Sequence, residues 1–357
     1  MVPFPEVVEA TSAGYCAQSC TWQAMLNAGC EYAPRHPETT VLYQVVAEQL
    51  ETFLNRQQDR DHPVPGFVED EFLDCGVLAR GFLRLRCQSC GLDRLLAFSC
   101  KGRAWCPSCG GRRMADTAAH LVDRVFPVVP VRQWVLSVPF ALRYRMAYDG
   151  HLTSDVLNVF IRVLFGELRR RVYELLGVAS SQCGAVTFVQ RWGDALNANP
   201  HFHSLVLDGV YAAGGNGRPQ FHQLPAPGNE DVLRVTTLVS QRVQSLLERR
   251  GCGPEADAPQ ADPLSQEDPG MAAMVSDSVR HRIAVGSNTG RGVVRLGDQI
   301  DGDNLDASES PRCAMGSGFS VHANVCVEGR DRMRLERLVR YAARPAVSTE
   351  RLTEYIA

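Results

Sequence analysis

Two imidazoles two residues apart carry the first chemical signal in this chain. His201 and His203 stand in the run Asn199-Pro200-His201-Phe202-His203-Ser204-Leu205-Val206-Leu207-Asp208-Gly209. Pro200 ends the preceding loop, and Leu205 to Leu207 form a short apolar run closed by Asp208-Gly209, which reads as a strand. Side chains at i and i+2 leave the same face of a strand, so His201 and His203 are expected to point together while Phe202 turns into a core. Two imidazoles on one rigid face make a ready pair of metal ligands. A core histidine with a chance neighbour would give the same short pattern, so the rest of the chain has to decide.

The cysteines give the second signal. Cys87-Gln88-Ser89-Cys90 is followed after fifteen residues by Cys106-Pro107-Ser108-Cys109. Each Cys-x-x-Cys lets two thiolates converge on one ion, and two such pairs complete a closed tetrahedral zinc site. The expectation is therefore a structural Zn²⁺ held by Cys87, Cys90, Cys106 and Cys109, with no open position for catalysis. Cys75 and Cys100 flank the knuckles as spare ligands or plain buried thiols, the second reading slightly favoured. Cys16 and Cys20, with three residues between them, are a weak metal signal in a leader of about thirty residues that shows no periodicity.

Tyr341 is the third candidate. In Asp331-Arg332-Met333-Arg334-Leu335-Glu336-Arg337-Leu338-Val339-Arg340-Tyr341-Ala342-Ala343-Arg344-Pro345, residues Leu335, Leu338, Val339 and Ala342 make an apolar stripe that Pro345 stops. Tyr341 sits at the stripe's edge among Arg334, Arg337, Arg340 and Arg344. Taken alone it reads as a ring packed on the core with its hydroxyl in water. Read functionally, it is a phenol held in a cationic, phosphate-attracting setting near a metal.

The elements that must position these residues follow from patterning. Leu42, Val46, Leu50 and Phe53-Leu54 form a stripe at helical spacing, broken by His62-Pro63-Val64-Pro65-Gly66. A helix is predicted over about Ala115 to Phe126, then a strand over Arg132 to Pro139. Ser154 is the expected N-cap of a long helix, Val156 to Leu176. Gly184 to Arg191 reads as a strand returning through a loop, Trp192 to Pro200, into the histidine strand. If those two strands pair as a hairpin, Gln190 lies near the histidines. A helix of about Asp231 to Arg249, a flexible Pro- and Gly-rich insertion from Gly251 to Gly270, and strands around Arg282–Gly286 and Phe319–Val327 complete the chain.

Composition bounds the class. The chain has 357 residues, 45% hydrophobic and 22% charged, enough for two soluble domains. No run of 18 apolar residues exists, and Met1-Val2-Pro3-Phe4-Pro5-Glu6 lacks the features of a secretory signal, so no membrane and a cytoplasmic location are expected. In that compartment the 13 cysteines favour metal over disulfides. The net charge of −3 hides a segregation. From Cys75 to Arg145 twelve Arg and Lys face three Asp, a balance of +9, whereas Glu31 to Asp74 carries ten acids against three Arg. The basic block points to a polyanionic partner.

A two-histidine strand followed by a tyrosine helix is the order of motifs in HUH endonucleases. Over roughly Pro34 to Leu352 the chain resembles that superfamily's insertion-sequence-91-type rolling-circle transposases, including the common-region elements. The resemblance rests on Pro37-Glu38-Thr39-Thr40-Val41-Leu42-Tyr43, Ser99-Cys100-Lys101-Gly102-Arg103-Ala104-Trp105-Cys106-Pro107-Ser108-Cys109, Arg132-Gln133-Trp134-Val135-Leu136-Ser137, Asn199-Pro200-His201-Phe202-His203 and Arg340-Tyr341-Ala342-Ala343-Arg344-Pro345. It implies an α+β chain: an antiparallel-sheet HUH nuclease core flanked by helices, over about 119–345. A small helical and four-cysteine zinc-knuckle domain precedes it at 31–118, after a poorly ordered leader at 1–30. It implies that His201 and His203 hold a catalytic Mg²⁺ or Mn²⁺, with Gln190 as third ligand and His322 as the alternative. Tyr341 is then the nucleophile that nicks and rejoins single-stranded DNA at transposon ends through a 5′-phosphotyrosine, with Trp134 or Trp192 available for base stacking.

Two departures from the relatives shape the expectation. Some relatives carry two tyrosines four residues apart, but Arg337 stands four before Tyr341, which implies a one-tyrosine enzyme. The chain also stops at Ala357 where relatives continue, so 346–357 is read as a truncated tail. The competing readings are a catalytically inactive, zinc-containing DNA-binding remnant and a plasmid-type replication initiator.

Overall fold

The computed structural model describes residues 35–57, 71–251, 274, 311–345 and 347, apart from positions 87, 89, 90, 92, 103–105, 194–197 and 216. They fall into two compact units, one within Met1–Arg113 and Val347–Ala357 and one within Met114–Ala346. The strand expected at Arg282–Gly286, most of the Gly251–Gly270 insertion, the leader and the tail beyond 347 lie outside the described residues.

The first unit is small. Helix α1 (Val41–Gln57) and a short helix α2 (Glu71–Asp74) precede a hairpin of β1 (Phe82–Arg86) and β2 (Asp93–Ala97). The hairpin register pairs Phe82 with Ala97 at its base and Arg86 with Asp93 at its far end. The base is extended by Gly76 N–H donating to the Phe98 carbonyl (2.9 Å) and Phe98 N–H to the Gly81 carbonyl (3.0 Å). The core is slight: Phe72, Cys75 and Cys106 are buried, with Leu42, Val46 and Leu73 packed on them. Of the expected α1 stripe, Leu42 and Val46 reach this core, but Phe53 is exposed. Helix α3 (Pro107–His120) starts at the second Cys-x-x-Cys, well before the expected Ala115, because Pro107 fits the first turn of a helix, where no N–H partner is needed. It runs on into a wide π turn, Leu121–Val125.

In the second unit an antiparallel sheet is wrapped by helices, so the chain is α+β. The strand order is β4 (Ala185–Trp192), β5 (Ala198–Leu207), β3 (Val131–Ser137), β9 (Phe319–His322) and β8 (Cys313–Gly316), with β10 (Cys326–Val327) also pairing β3. Central β3 (Val131–Ser137) lies between β5 (Ala198–Leu207) on one side and β9 (Phe319–His322) and β10 (Cys326–Val327) on the other. The expected strand Phe319–Val327 is thus one line of pairing along β3, interrupted where Gln133 N–H donates to the Val325 carbonyl at 2.9 Å. β4 (Ala185–Trp192) pairs β5 as the expected hairpin, and β8 (Cys313–Gly316) adds the far edge. A separate hairpin, β6 (Gly209–Ala213) with β7 (Pro219–Gln223), follows β5 directly. Gly209 is needed there, because any Cβ would stand 2.3 Å from the His222 carbonyl oxygen.

The two faces of the sheet have different partners, and the period-2 alternation assigns each residue. Trp134, Leu136, Phe202, Val206 and Val321 face a large core closed by α4 (Phe140–Tyr148), α5 (Gly150–Leu176) and α6 (Asn229–Arg249). Helix α5 begins four residues before the expected Ser154 because Asp149 caps it, accepting from Leu152 N–H at 2.9 Å. On the opposite face, Val131, Leu205 and Leu207 pack against Leu121, Val122 and Phe126 and against Leu335, Leu338 and Val339 of helix α7 (Arg332–Ala342). The remainder of that face carries the histidines.

One charged pair ties the sheet together. Arg132 of β3 donates to both carboxylate oxygens of Asp208 (2.9 and 2.7 Å) and to the Ala323 carbonyl (3.0 Å), with both charged side chains almost fully buried. Removing one partner strands the other charge, which costs about 3–5 kcal/mol. Asp208→Ala is therefore expected to lower the unfolding free energy by about that amount in urea melts. A loss below about 1 kcal/mol would show the pair to be solvated in solution.

Candidate functional site

The histidine strand is built as its alternation demands. Phe202 is completely buried on the helical face, and His201 and His203 leave the other face with ring centroids 4.9 Å apart. Both imidazoles are buried, at 8% and 3% exposure. Directly opposite His201 across the ladders stand Gln190 on β4 and Ser137 on β3, so a polar row crosses the sheet at this level.

The nitrogens of the two rings are differently engaged. His201 Nδ1 lies 2.6 Å from the Asn199 carbonyl oxygen. A carbonyl can only accept, so Nδ1 carries a proton and Nε2 is the nitrogen on the side away from Asn199. The Gln133 side-chain amide nitrogen lies 2.6 Å from His203 Nδ1, and His203 Nε2 is buried with no hydrogen-bond partner. Among the described residues four buried side-chain polar atoms lack a partner, and two of them, His203 Nε2 and Asn199 Oδ1, belong to this strand. Burial first, then the neighbouring His201 and Arg344, pushes the His203 pKa down to about 3, so the ring is neutral at physiological pH. A neutral imidazole with an unpartnered buried nitrogen is the donor a divalent cation takes.

Helix α7 delivers the tyrosine. Asp331 caps its start, accepting from Arg334 N–H at 3.0 Å. Arg332 anchors it by donating to the carbonyls of Val122, Phe126 (2.9 Å) and Pro127 (3.2 Å). Its stripe of Leu335, Leu338, Val339 and Ala342 is buried as the sequence pattern requires. Tyr341, in the last turn, is 48% exposed and sets its ring edge-on to His203, centroids 5.6 Å apart. The Arg344 guanidinium lies over the same ring, 4.8 Å from its centroid.

Gln190 is buried beside this group, and its Nε2 donates to the carbonyls of Tyr341 (3.2 Å) and Ala342 (2.9 Å). These carbonyls have no partner inside their own helix, so Gln190 fixes the helix end on the sheet. His322 is on the same face but two strands from His203, about 10 Å in backbone spacing. Burial lowers its pKa.

In the first unit the sulfurs of Cys75, Cys100, Cys106 and Cys109 all lie within 4.8 Å of one another. Cys75 Sγ is 3.6 Å from those of Cys106 and Cys109, and Cys100 Sγ is 3.7 Å from that of Cys109. A ZnS₄ tetrahedron with bonds of about 2.3 Å has edges of about 3.8 Å, so the sulfurs already stand at the spacing the ion imposes. Gly102 N–H donates to Cys100 Sγ at 3.2 Å, the bond expected of a thiolate ligand. Four adjacent thiols cannot all ionise without a cation: Cys75 is pulled down to about 5, chiefly by its bond with Cys106, while burial pushes Cys100 up to about 12. Cys106 and Cys109 thus meet here, whereas Cys87 and Cys90 lie outside the described residues. Cys75 and Cys100, expected as plain buried thiols, are the partners found. A signal for them existed in the two short strand-like runs, Phe82–Arg86 and Asp93–Ala97. Their pairing draws together the residues just before and just after them.

Among the described residues no helix is long and apolar enough to cross a membrane. Comparison with known families matches residues 45–138 to a model described as "Transposase zinc-binding domain" and residues 184–356 to one described as "Putative transposase". Searches of curated proteins and of solved structures found no similar chain.

Proposed function

Because the chain belongs to the insertion-sequence-91-type transposases, with a zinc-binding domain ahead of its transposase segment, we propose that it cuts and rejoins single-stranded DNA through a covalent bond to Tyr341. The observation that carries this reading is the meeting of Tyr341 with His203, 138 positions earlier in the chain, at 5.6 Å between ring centroids. Nothing local in the sequence requires that meeting, yet three separate devices hold it: the Asp331 cap, the Arg332 anchor and the Gln190 bonds.

In this reading His201, His203 and Gln190 would hold a divalent cation. A Mg²⁺ or Mn²⁺ ion held there would supply Lewis-acid polarisation of the scissile phosphate and charge stabilisation during attack. The Tyr341 hydroxyl, exposed on the last turn of its helix, attacks phosphorus and loses its proton. The bond to the upstream 3′-oxygen breaks, and that oxygen takes up a proton as a free 3′-hydroxyl. The downstream strand is left as a 5′-phosphotyrosine. Because one phosphodiester replaces another, the reverse attack by a 3′-hydroxyl rejoins the strand without ATP. Arg344 over the ring is placed to pair with the phosphate as it arrives.

The zinc site is proposed as Cys75, Cys100, Cys106 and Cys109, closed to substrate and structural. The +9 balance from Cys75 to Arg145 supplies affinity for the DNA backbone, and Trp192, 44% exposed on edge strand β4, offers a stacking platform for a base. Trp134, the other stacking candidate, is buried in the core and is not available for that role. Binding to a single-stranded oligonucleotide is expected to weaken at least about tenfold between 50 and 200 mM salt, as several phosphate contacts require. Affinity flat over that range would leave the basic block as a merely solvated face.

The direct test uses a single-stranded oligonucleotide bearing the element's end, with Mg²⁺ or Mn²⁺, and follows the covalent adduct on denaturing gels. His203→Ala is expected to abolish the adduct while oligonucleotide affinity stays within about threefold, since a buried ring makes no contact with the DNA backbone. Full adduct formation by His203→Ala would refute the histidine site.

A further inference from the structure

Resting on the proposed reaction, we infer that an open strip of the sheet across β3, β9 and β8 seats the nucleotides upstream of the cut, the segment that leaves with the 3′-hydroxyl. The histidine face of this sheet is covered unevenly. Leu335, Leu338 and Val339 of α7 pack with Val186 and Phe188 of β4, Leu205 and Leu207 of β5, and Val131 at the start of β3. Along that face of β3, Val131 and Gln133 are buried, whereas Val135 and Ser137 are partly exposed. The opening continues onto the neighbouring strands. Ser320 stands opposite Ser137, His322 opposite Val135, and Met315 opposite Ser320 at the sheet edge. Ser320 and His322 are partly exposed and Met315 is 46% exposed, while Phe319 and Val321, which alternate with them, are buried on the other face.

Two observations commit this strip to one occupant. The first is continuity: Gln190, His201, Ser137 and Ser320 stand opposite one another in a single row across β4, β5, β3 and β9. The polar floor beside the histidines therefore runs on into the strip. The second is direction. Gln190 holds the last turn of α7 from β4, so Tyr341 reaches the histidines of β5 from the β4 side. In phosphoryl transfer the entering and leaving oxygens lie roughly in line through phosphorus. With the Tyr341 oxygen entering from the β4 side, the upstream 3′-oxygen leaves toward β3, and the nucleotides joined to it lie over β9 and β8. Three strand spacings separate β5 from β8, about 14 Å of floor. Its groups suit such a guest: the Ser137 and Ser320 hydroxyls can donate to phosphate oxygens, and the pliable Met315 side chain and the His322 ring offer contact to bases.

The test is ultraviolet crosslinking in the zinc-loaded full chain carrying Tyr341→Phe, which keeps the bound strand whole. Oligonucleotides bearing the element's end carry 5-iododeoxyuridine either at the last nucleotide before the cleaved phosphate or at the first one after it. The upstream probe is expected to mark the tryptic peptide Cys313–Arg330, which contains all of β8 and β9, and the downstream probe is expected not to. The reverse pattern, or an upstream probe that is bound yet marks another peptide or none, overturns the proposal. Met315→Glu, on an exposed edge position, gives a second readout. It is expected to weaken an oligonucleotide that includes the upstream nucleotides by at least about fivefold, as like charges about 4 Å apart repel even in water, while one that begins after the cut stays within about twofold. Equal effects on both, or on neither, overturn the proposal. The two layers fail separately. If the wild-type chain forms no adduct on Tyr341, the proposed reaction falls; if the adduct forms and the upstream probe marks another segment, the strip alone loses its role.

Discussion

Tyr341→Phe is expected to remove the covalent protein–DNA adduct by at least about 10⁴-fold, the scale on which deleting a catalytic nucleophile acts. Affinity for the same oligonucleotide should stay within about twofold, and thermal stability should not change. The hydroxyl is the one group lost, and the ring is about half exposed, with its face on Arg344 and its edge on His203. Phe keeps both contacts, so the helix end stays where Gln190 holds it. That combination, binding retained and chemistry gone, is what distinguishes a nucleophile from a residue that shapes the site. An adduct still forming with Phe at position 341 would assign the attack to another residue. Retained cleavage without any adduct would instead point to water as the attacking group.

The tyrosine helix is legible in the chain because its stripe, its Asp331 start and its Pro345 stop are local features. The shared face of His201 and His203 is legible for the same reason, since strand alternation is a property of neighbours. Which side chains arrive from other strands is not. Gln133 lies 70 positions from His203, and the register of β3 against β5 that brings them together is decided by the packing of both sheet faces. Gln190 is placed near the histidines by the expected hairpin, but its grip on α7 depends on the docking of a helix whose end lies 152 positions further on. The strand β8 and the helix α4 leave no such trace, because both are short and lack a clean period.

The second large effect concerns the cysteine cluster. Cys75→Ser and Cys106→Ser are each expected to drop bound zinc from about one equivalent to near none and to unfold the first unit. A structural zinc contributes an apparent 10–16 kcal/mol, more than most small domains have in total stability. The slight core around Phe72 cannot compensate for such a loss. Cys87→Ser supplies the contrast: with Cys75, Cys100, Cys106 and Cys109 at tetrahedral spacing, it should retain its zinc. Metal analysis of the purified variants, with circular dichroism for folding, decides between the two quartets. Zinc lost from Cys87→Ser but kept in Cys75→Ser would restore the paired-knuckle site.

Tyr341 occupies the C-terminal turn of an eleven-residue helix, and this has an electrostatic consequence for the adduct. The aligned peptide dipoles leave that end partially negative, so a phosphate attached there is opposed by about 0.3–1 kcal/mol. At an N-terminus the same charge would be welcomed and the bound strand would settle. Here the opposition is offset by the Arg344 guanidinium over the ring. In the proposed reaction a protein–DNA ester at Tyr341 would thus be held in near balance with the free 3′-end, a poise that suits strand exchange better than it suits hydrolysis or permanent capture.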